Sequence, residues 1–73
     1  MLKPDEIRLL RHSREMKQLE VAQKMGITKQ RYSELENHNN LQLQRLDEIL
    51  KALGYTLETA RNYLDSIPPP QNE

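Results

Sequence analysis

The chain has no cysteine among its 73 residues, so neither disulfides nor thiolate metal sites can support its fold. Only His12 and His38 remain as nitrogen ligands, whereas zinc sites ordinarily need three or four protein ligands. We therefore expect no metal and no cofactor. No serine has a histidine at a motif spacing and no glycine-rich phosphate loop is present, which argues against an enzyme.

Long hydrophobic runs are also missing. No apolar run approaches the ~20 residues of a membrane span, and the start of the chain, MLKPDEIRLL, lacks the long apolar core of a signal peptide. The sequence therefore predicts a cytoplasmic protein without a membrane partner.

The formal net charge is zero, which taken alone argues mildly against a nucleic-acid partner. The charges are unevenly distributed, however. Residues 1–31 hold eight Lys/Arg and four Asp/Glu, whereas residues 32–73 hold three Lys/Arg and seven Asp/Glu. This asymmetry predicts one basic face and one acidic end, a distribution that bears on partners more than on fold.

Capping residues and apolar spacing predict an all-α chain of five short helices. Threonines at 28 and 56 are suited to N-caps, and Gly26 and Gly54 supply the positive φ that ends a helix. Around residues 55–59, the alternation of apolar and polar residues also permits a short strand. The helices are expected from about Pro4 to Glu15, from Gln18 to Gly26, from Thr28 to a turn at Asn37, from Leu43 to Leu53, and from Thr56 to Ser66.

Apolar residues at helical spacing define the expected core, which makes residues 1–67 one domain. Pro68-Pro69-Pro70 ends regular structure, so residues 68–73 are expected to be a disordered tail. The inward residues are expected to be Ile7, Leu10 and Arg14; Val21, Ala22 and Met25; Tyr32 and Leu35; Leu43, Leu46, Ile49, Leu50 and Leu53; and Leu57, Ala60, Leu64 and Ile67 with Tyr63 beside them.

The second and third helices are separated only by the tight turn Gly26-Ile27-Thr28. On the third helix, polar side chains cluster opposite the buried side at residues 29, 30, 33 and 34. Any surface helix needs polar residues on its outer side. The tight turn and the surrounding basic residues favour a helix-turn-helix, which places its second helix in the DNA major groove.

From Ile7 to Gly54, about two-thirds of the chain, the sequence resembles the lambda-repressor and Cro type of helix-turn-helix, the xenobiotic-response-element family. The resemblance implies a compact lambda-repressor-like bundle and a DNA-binding regulator of bacterial or phage type. The matching residues are Ile7, Leu10, Arg11, Gln18, Val21-Ala22, Gly26-Ile27-Thr28, Ser33, Leu35-Glu36 and Leu53-Gly54.

The resemblance implies that Lys29, Gln30 and Glu34 read base edges. A glutamine can bond adenine N6 and N7 together, a lysine can donate to guanine or to phosphate, and a glutamate can accept from cytosine N4. Pairing of Glu34 with Arg31 on the helix surface is an equally good interpretation. Contacts to phosphate or to the DNA backbone are assigned to Gln18, Thr28, Arg31, Ser33, Asn37 and Asn39.

The family also places an arginine of the first helix against the glutamate near the end of the third, which here implies an Arg11–Glu36 ion pair. A carboxylate at the edge of a buried side is costly without such a partner. The chain departs from the family pattern in the following loop, where His38 replaces the usual glycine. We therefore expect Asn37 or Asn39 to adopt left-handed geometry.

The leading hypothesis is a homodimeric, nucleoid-associated repressor that binds a pseudo-palindromic double-stranded operator and dimerises through helices 4 and 5. One alternative is an antitoxin with the same DNA-binding fold and a toxin protein as second partner. Another is a protein-interaction module that has lost DNA binding and uses Leu9, Leu19 and the C-terminal apolar stripe.

Overall fold

The computed structural model describes residues 2–67, and within that range it contains five α-helices and no strand. The predicted all-α fold is confirmed, and residues 57–59 lie in the fifth helix. The expected proline-rich tail lies outside the described residues. The helices are α1 (Pro4–Ser13), α2 (Gln18–Met25), α3 (Lys29–Glu36), α4 (Leu43–Leu53) and α5 (Leu57–Ser66).

Side chains cap the N-termini of four of these helices. The Glu6 and Glu20 carboxylates accept from the backbone N–H of Lys3 and Lys17, at 2.9 and 2.8 Å, just before α1 and α2. Thr28 Oγ1 accepts from the N–H of Arg31 at 3.1 Å, and Thr56 caps α5 through Thr59 in the same way. The caps therefore fix where the chain enters each of these helices.

Three helices end through the same pair of backbone bonds around a left-handed residue. In α2, the N–H groups of Gly26 and Ile27 donate to the carbonyls of Gln23 and Ala22, and α4 ends similarly at Gly54. In α1 the left-handed residue is Glu15, with φ 54°. The prediction that α1 extends to Glu15 was therefore wrong, because this geometry stops the helix at Ser13.

The core contains residues from all five helices and from three segments outside them, at Leu2, Leu41 and Tyr55. Tyr32, Ile7, Leu10, Ile49, Leu50 and Val21 are its largest fully buried apolar side chains. Leu2 and Leu41, which precede α1 and α4, are also buried.

Three residues of the expected core lie at the surface. Leu43 is 57% exposed and Leu57 is 42% exposed, because each begins its helix at the edge of the bundle, where only a shallow pocket with Leu2 and Leu46 forms. Arg14 is exposed as well, and Arg11 takes the buried position on α1.

The loop after α3 turns without left-handed residues. Among the described residues, Glu15 is the only non-glycine with positive φ, so the expectation for Asn37 or Asn39 was wrong. Asn37 ends α3 at φ −93° and ψ 4°. The His38 ring accepts from the N–H of Asn40 at 3.1 Å and thereby supports the turn. The loop therefore turns at His38 without the left-handed geometry for which glycine is suited.

Candidate nucleic-acid interface

The turn at Gly26-Ile27-Thr28 orients α3 against the rest of the bundle. Tyr32, Leu35 and Glu36 of α3 are buried, whereas Lys29, Gln30, Arg31 and Glu34 are exposed. The outer side of α3 is therefore polar and free of contacts with the core, as the sequence spacing indicates.

The Glu36 carboxylate lies at the centre of a buried hydrogen-bond cluster at the inner end of α3. Its Oε2 accepts from Arg11 Nε and from the Tyr32 hydroxyl, each at 2.7 Å. Its Oε1 accepts from Gln18 Nε2 at 2.8 Å and more weakly from Arg11 Nη2 at 3.4 Å. The carboxylate therefore links α1, α2 and α3, and the structure brings Arg11 and Glu36 together as an ion pair.

Glu36 and Tyr32 each have a defined protonation state in this cluster. Burial opposes ionisation of Glu36, but hydrogen bonds from Arg11, Gln18 and Tyr32 outweigh it, so the pKa of this carboxyl lies below its ordinary value of 4.5. Burial and the hydrogen bond to Glu36 raise the pKa of Tyr32 far above its ordinary value of 10.0. At neutral pH, Glu36 is therefore an acceptor and Tyr32 a donor.

Six of the predicted site residues line one shallow surface, which we call the reading face: Gln18, Lys29, Gln30, Ser33, Glu34 and Asn37. Gln18 is held in place by its bond to Glu36. Asn37 Nδ2 donates to the carbonyl of Ser33 at 2.9 Å. The face is therefore built on α3, with one residue from the start of α2 and one from the end of α3.

The other three predicted backbone contacts lie around this face. Thr28 uses its hydroxyl as the N-cap of α3. Arg31 Nη1 is 3.4 Å from Glu34 Oε1, so the exposed pairing that the sequence permits is present. Asn39 lines a neighbouring pocket together with Lys3, Arg8 and Asn37.

The sequence gives little or no indication of two contacts in this region. The Tyr32 hydroxyl reaches Glu36 across one helical turn, a spacing that could have indicated the bond. Arg8 Nη1 donates to Asn37 Oδ1 at 2.6 Å across 29 residues of sequence, and no local pattern indicates that contact. The sequence therefore did not predict that Arg8 lies beside the end of α3.

Comparison with known proteins gives one family. A family model described as helix-turn-helix matches residues 7–59, which include α2, α3, α4 and most of α1. No curated protein and no solved structure matches the chain.

Proposed function

This chain belongs to the lambda-repressor-like helix-turn-helix family, whose members are DNA-binding regulators, and on that premise we propose that it is a sequence-specific repressor acting as a homodimer. In this proposal α3 enters the major groove of a pseudo-palindromic operator. The observation that carries the proposal is the division of α3 into a buried, hydrogen-bonded side and an exposed polar side.

Base reading is assigned to Gln30, Lys29 and Glu34. Gln30 is exposed on the first turn of α3, where its amide N–H can donate to adenine N7 while its carbonyl oxygen accepts from the adenine N6 amino group. Lys29 can donate to guanine or neutralise phosphate. Glu34 Oε1 is paired with Arg31 at 3.4 Å in an exposed ion pair, and the carboxylate keeps further lone pairs that can accept from cytosine.

Backbone contacts are assigned to residues that surround the base-reading side chains. Gln18 is oriented by Glu36, and the hydroxyls of Thr28 and Ser33 lie at the start and on the flank of α3. Arg31 supplies a positive charge, and Asn37 and Asn39 supply amides beyond the end of α3. Such contacts fix register on the duplex and carry no sequence information themselves.

The homodimer is supported by an apolar surface away from the reading face, which we call the apolar patch: Leu43 of α4 and Leu57 of α5, with Leu2, Leu46 and Arg61 around them. The two exposed leucines line one surface together, and a second copy seated there would remove both from water. Two recognition helices would then be spaced by about one turn of DNA, ~34 Å. Repression requires only that the dimer occupy its operator.

Selection from random duplex DNA tests the proposal. We expect a preferred, pseudo-palindromic sequence, and we expect Gln30→Ala to relax the preference at one position of each half-site at a cost of about 1–3 kcal/mol. Gln23→Ala, which removes an exposed amide from α2 outside the reading face, is the matched control and should bind like wild type. Selection that returns no preferred sequence would reject sequence-specific regulation.

A further inference from the structure

We propose that Arg8 of α1 is a phosphate-binding residue that extends the DNA surface beyond α3, across Asn37. This inference rests on the proposed function, because it assigns a further backbone contact to the same complex. The ligand is a phosphate of the DNA backbone next to the half-site, and the contact is one that α3 alone cannot make.

The first observation is the position of Arg8 beside the end of α3. Its Nη1 donates to Asn37 Oδ1 at 2.6 Å, while its Nη2 forms an ion pair with Asp5. The Arg8 side chain is 37% exposed. The guanidinium is thus fixed next to the reading face and still accessible to solvent.

The second observation is continuity between two surfaces. Asn37 borders the reading face on one side and the pocket containing Lys3, Arg8 and Asn39 on the other. Its amide is oriented from both directions, since Oδ1 accepts from Arg8 and Nδ2 donates to the Ser33 carbonyl. A duplex that follows the reading face past Asn37 therefore meets Arg8 next.

The third observation concerns the donors of the guanidinium. An arginine has five N–H donors, and the hydrogen bonds of Arg8 within residues 2–67 use two of its nitrogens, one bond each. N–H groups therefore remain for a phosphate, which guanidinium binds well in two-point geometry. Lys3 adds a second positive charge at the same pocket.

Asp5 is the opposing charge at this pocket. Its side chain is 86% exposed, so its ion pair with Arg8 is in water and is weak enough to be exchanged. A phosphate competes with the Asp5 carboxylate for Arg8 and is repelled by it. Removing the charge of Asp5 should therefore strengthen DNA binding, whereas removing the charge of Arg8 should weaken it.

The test measures affinity for the selected operator between 50 and 200 mM salt. For Arg8→Gln we expect affinity to fall about fivefold to tenfold and the preferred sequence to stay the same. The slope of log affinity against log salt should become less negative by about 0.9 for each phosphate contact that Arg8 makes. For Asp5→Asn we expect affinity to rise severalfold. Lys51→Gln removes an exposed charge of α4 and should leave the slope unchanged.

Arg8→Lys separates charge from geometry, because it keeps the positive charge and loses the planar fork. It should retain most of the salt slope. Equal urea midpoints would show that the variants are folded. The Arg8 assignment is overturned if Arg8→Gln binds like wild type, or if it loses sequence preference with its slope unchanged, which would make Arg8 a support for Asn37 only. A wild-type protein without salt-dependent DNA binding overturns both this inference and the proposed function.

Discussion

Glu36 joins α3 to α1 and α2 through buried hydrogen bonds. Its carboxylate is fully buried and accepts hydrogen bonds from Arg11 of α1, Gln18 of α2 and Tyr32 of α3. No buried side-chain polar atom in residues 2–67 lacks a partner. A buried ion pair with all its hydrogen bonds made contributes little net stability compared with well-packed apolar residues of similar volume. Removing one partner, however, leaves an uncompensated charge in the core.

Glu36→Gln should therefore lower the free energy of unfolding at pH 7 by about 3 kcal/mol, because Arg11 stays buried without its counter-charge. Urea denaturation measures this loss. Glu34→Gln removes an exposed carboxylate from the same helix and should change stability by less than about 0.5 kcal/mol. Equal stability of Glu36→Gln and wild type would contradict the structural role of the pair.

The pH dependence of stability provides a second measurement on the same residue. Because the pKa of Glu36 is lower in the folded state, its contribution to stability is fully present above 4.5 and is lost as the pH falls through the lowered value. Wild type should therefore lose stability in acid more steeply than Glu36→Gln in urea titrations below pH 4.5. Parallel pH profiles would exclude Glu36 as the titrating group.

At the scale of elements, α1, α2 and α4 share one way of ending. In each, a left-handed residue is followed by an apolar residue that packs inward: Glu15 and Met16, Gly26 and Ile27, Gly54 and Tyr55. This is the Schellman arrangement with its hydrophobic contact. Glu15 differs from Gly26 and Gly54 because it carries a side chain, which is strained at φ 54°.

Replacing Glu15 by glycine should raise the free energy of unfolding by about 0.5–1 kcal/mol, since the strain of a left-handed residue exceeds the added flexibility of the unfolded chain. Thermal and urea unfolding measure the gain. Glu15→Ala keeps the Cβ and removes the charge, so it should give no such gain. If the alanine and glycine variants were equally stable, backbone strain would not be the cause.

Local sequence signals predict some features of this fold and not others. Caps and glycines placed four of the helix ends, and 100° spacing identified the outer side of α3. The end of α1 lacked a glycine, so its pattern carried no stop signal. The exposure of Leu43 depends on which segments fold over α4, and the contact of Arg8 with Asn37 depends on tertiary packing. Neither is encoded by spacing along one helix.

At the scale of the whole molecule, the reading face and the apolar patch occupy different parts of the chain. The six residues of the reading face lie between positions 18 and 37, within or next to the basic half, and the residues of the apolar patch come from α4, α5 and position 2. The first half carries a net positive charge, which favours contact with DNA, and the apolar patch and the reading face share no lining residue. In the proposed homodimer, we therefore expect DNA binding and dimerisation to be separable by mutation.

The double variant Leu43→Glu, Leu57→Glu tests the proposed homodimer. Sedimentation at tens of micromolar should show a dimer for wild type and a monomer for this variant, because like charges replace the apolar contact at the patch. Affinity for the full operator should fall at least tenfold. Leu9→Glu, which places a charge on a leucine of α1 that is 46% exposed, is the matched control. A variant that still sediments as a dimer would place the interface elsewhere.

The division of α3 into two sides has a consequence for how this protein can change over time. The residues that hold the helix, Tyr32, Leu35 and Glu36, are separate from the exposed residues at positions 29, 30 and 34. Substitutions at the exposed positions alter few internal contacts, so they have small effects on stability. Under the proposed function, operator preference can therefore change through single substitutions while every intermediate stays folded, which makes new regulatory connections accessible in small steps.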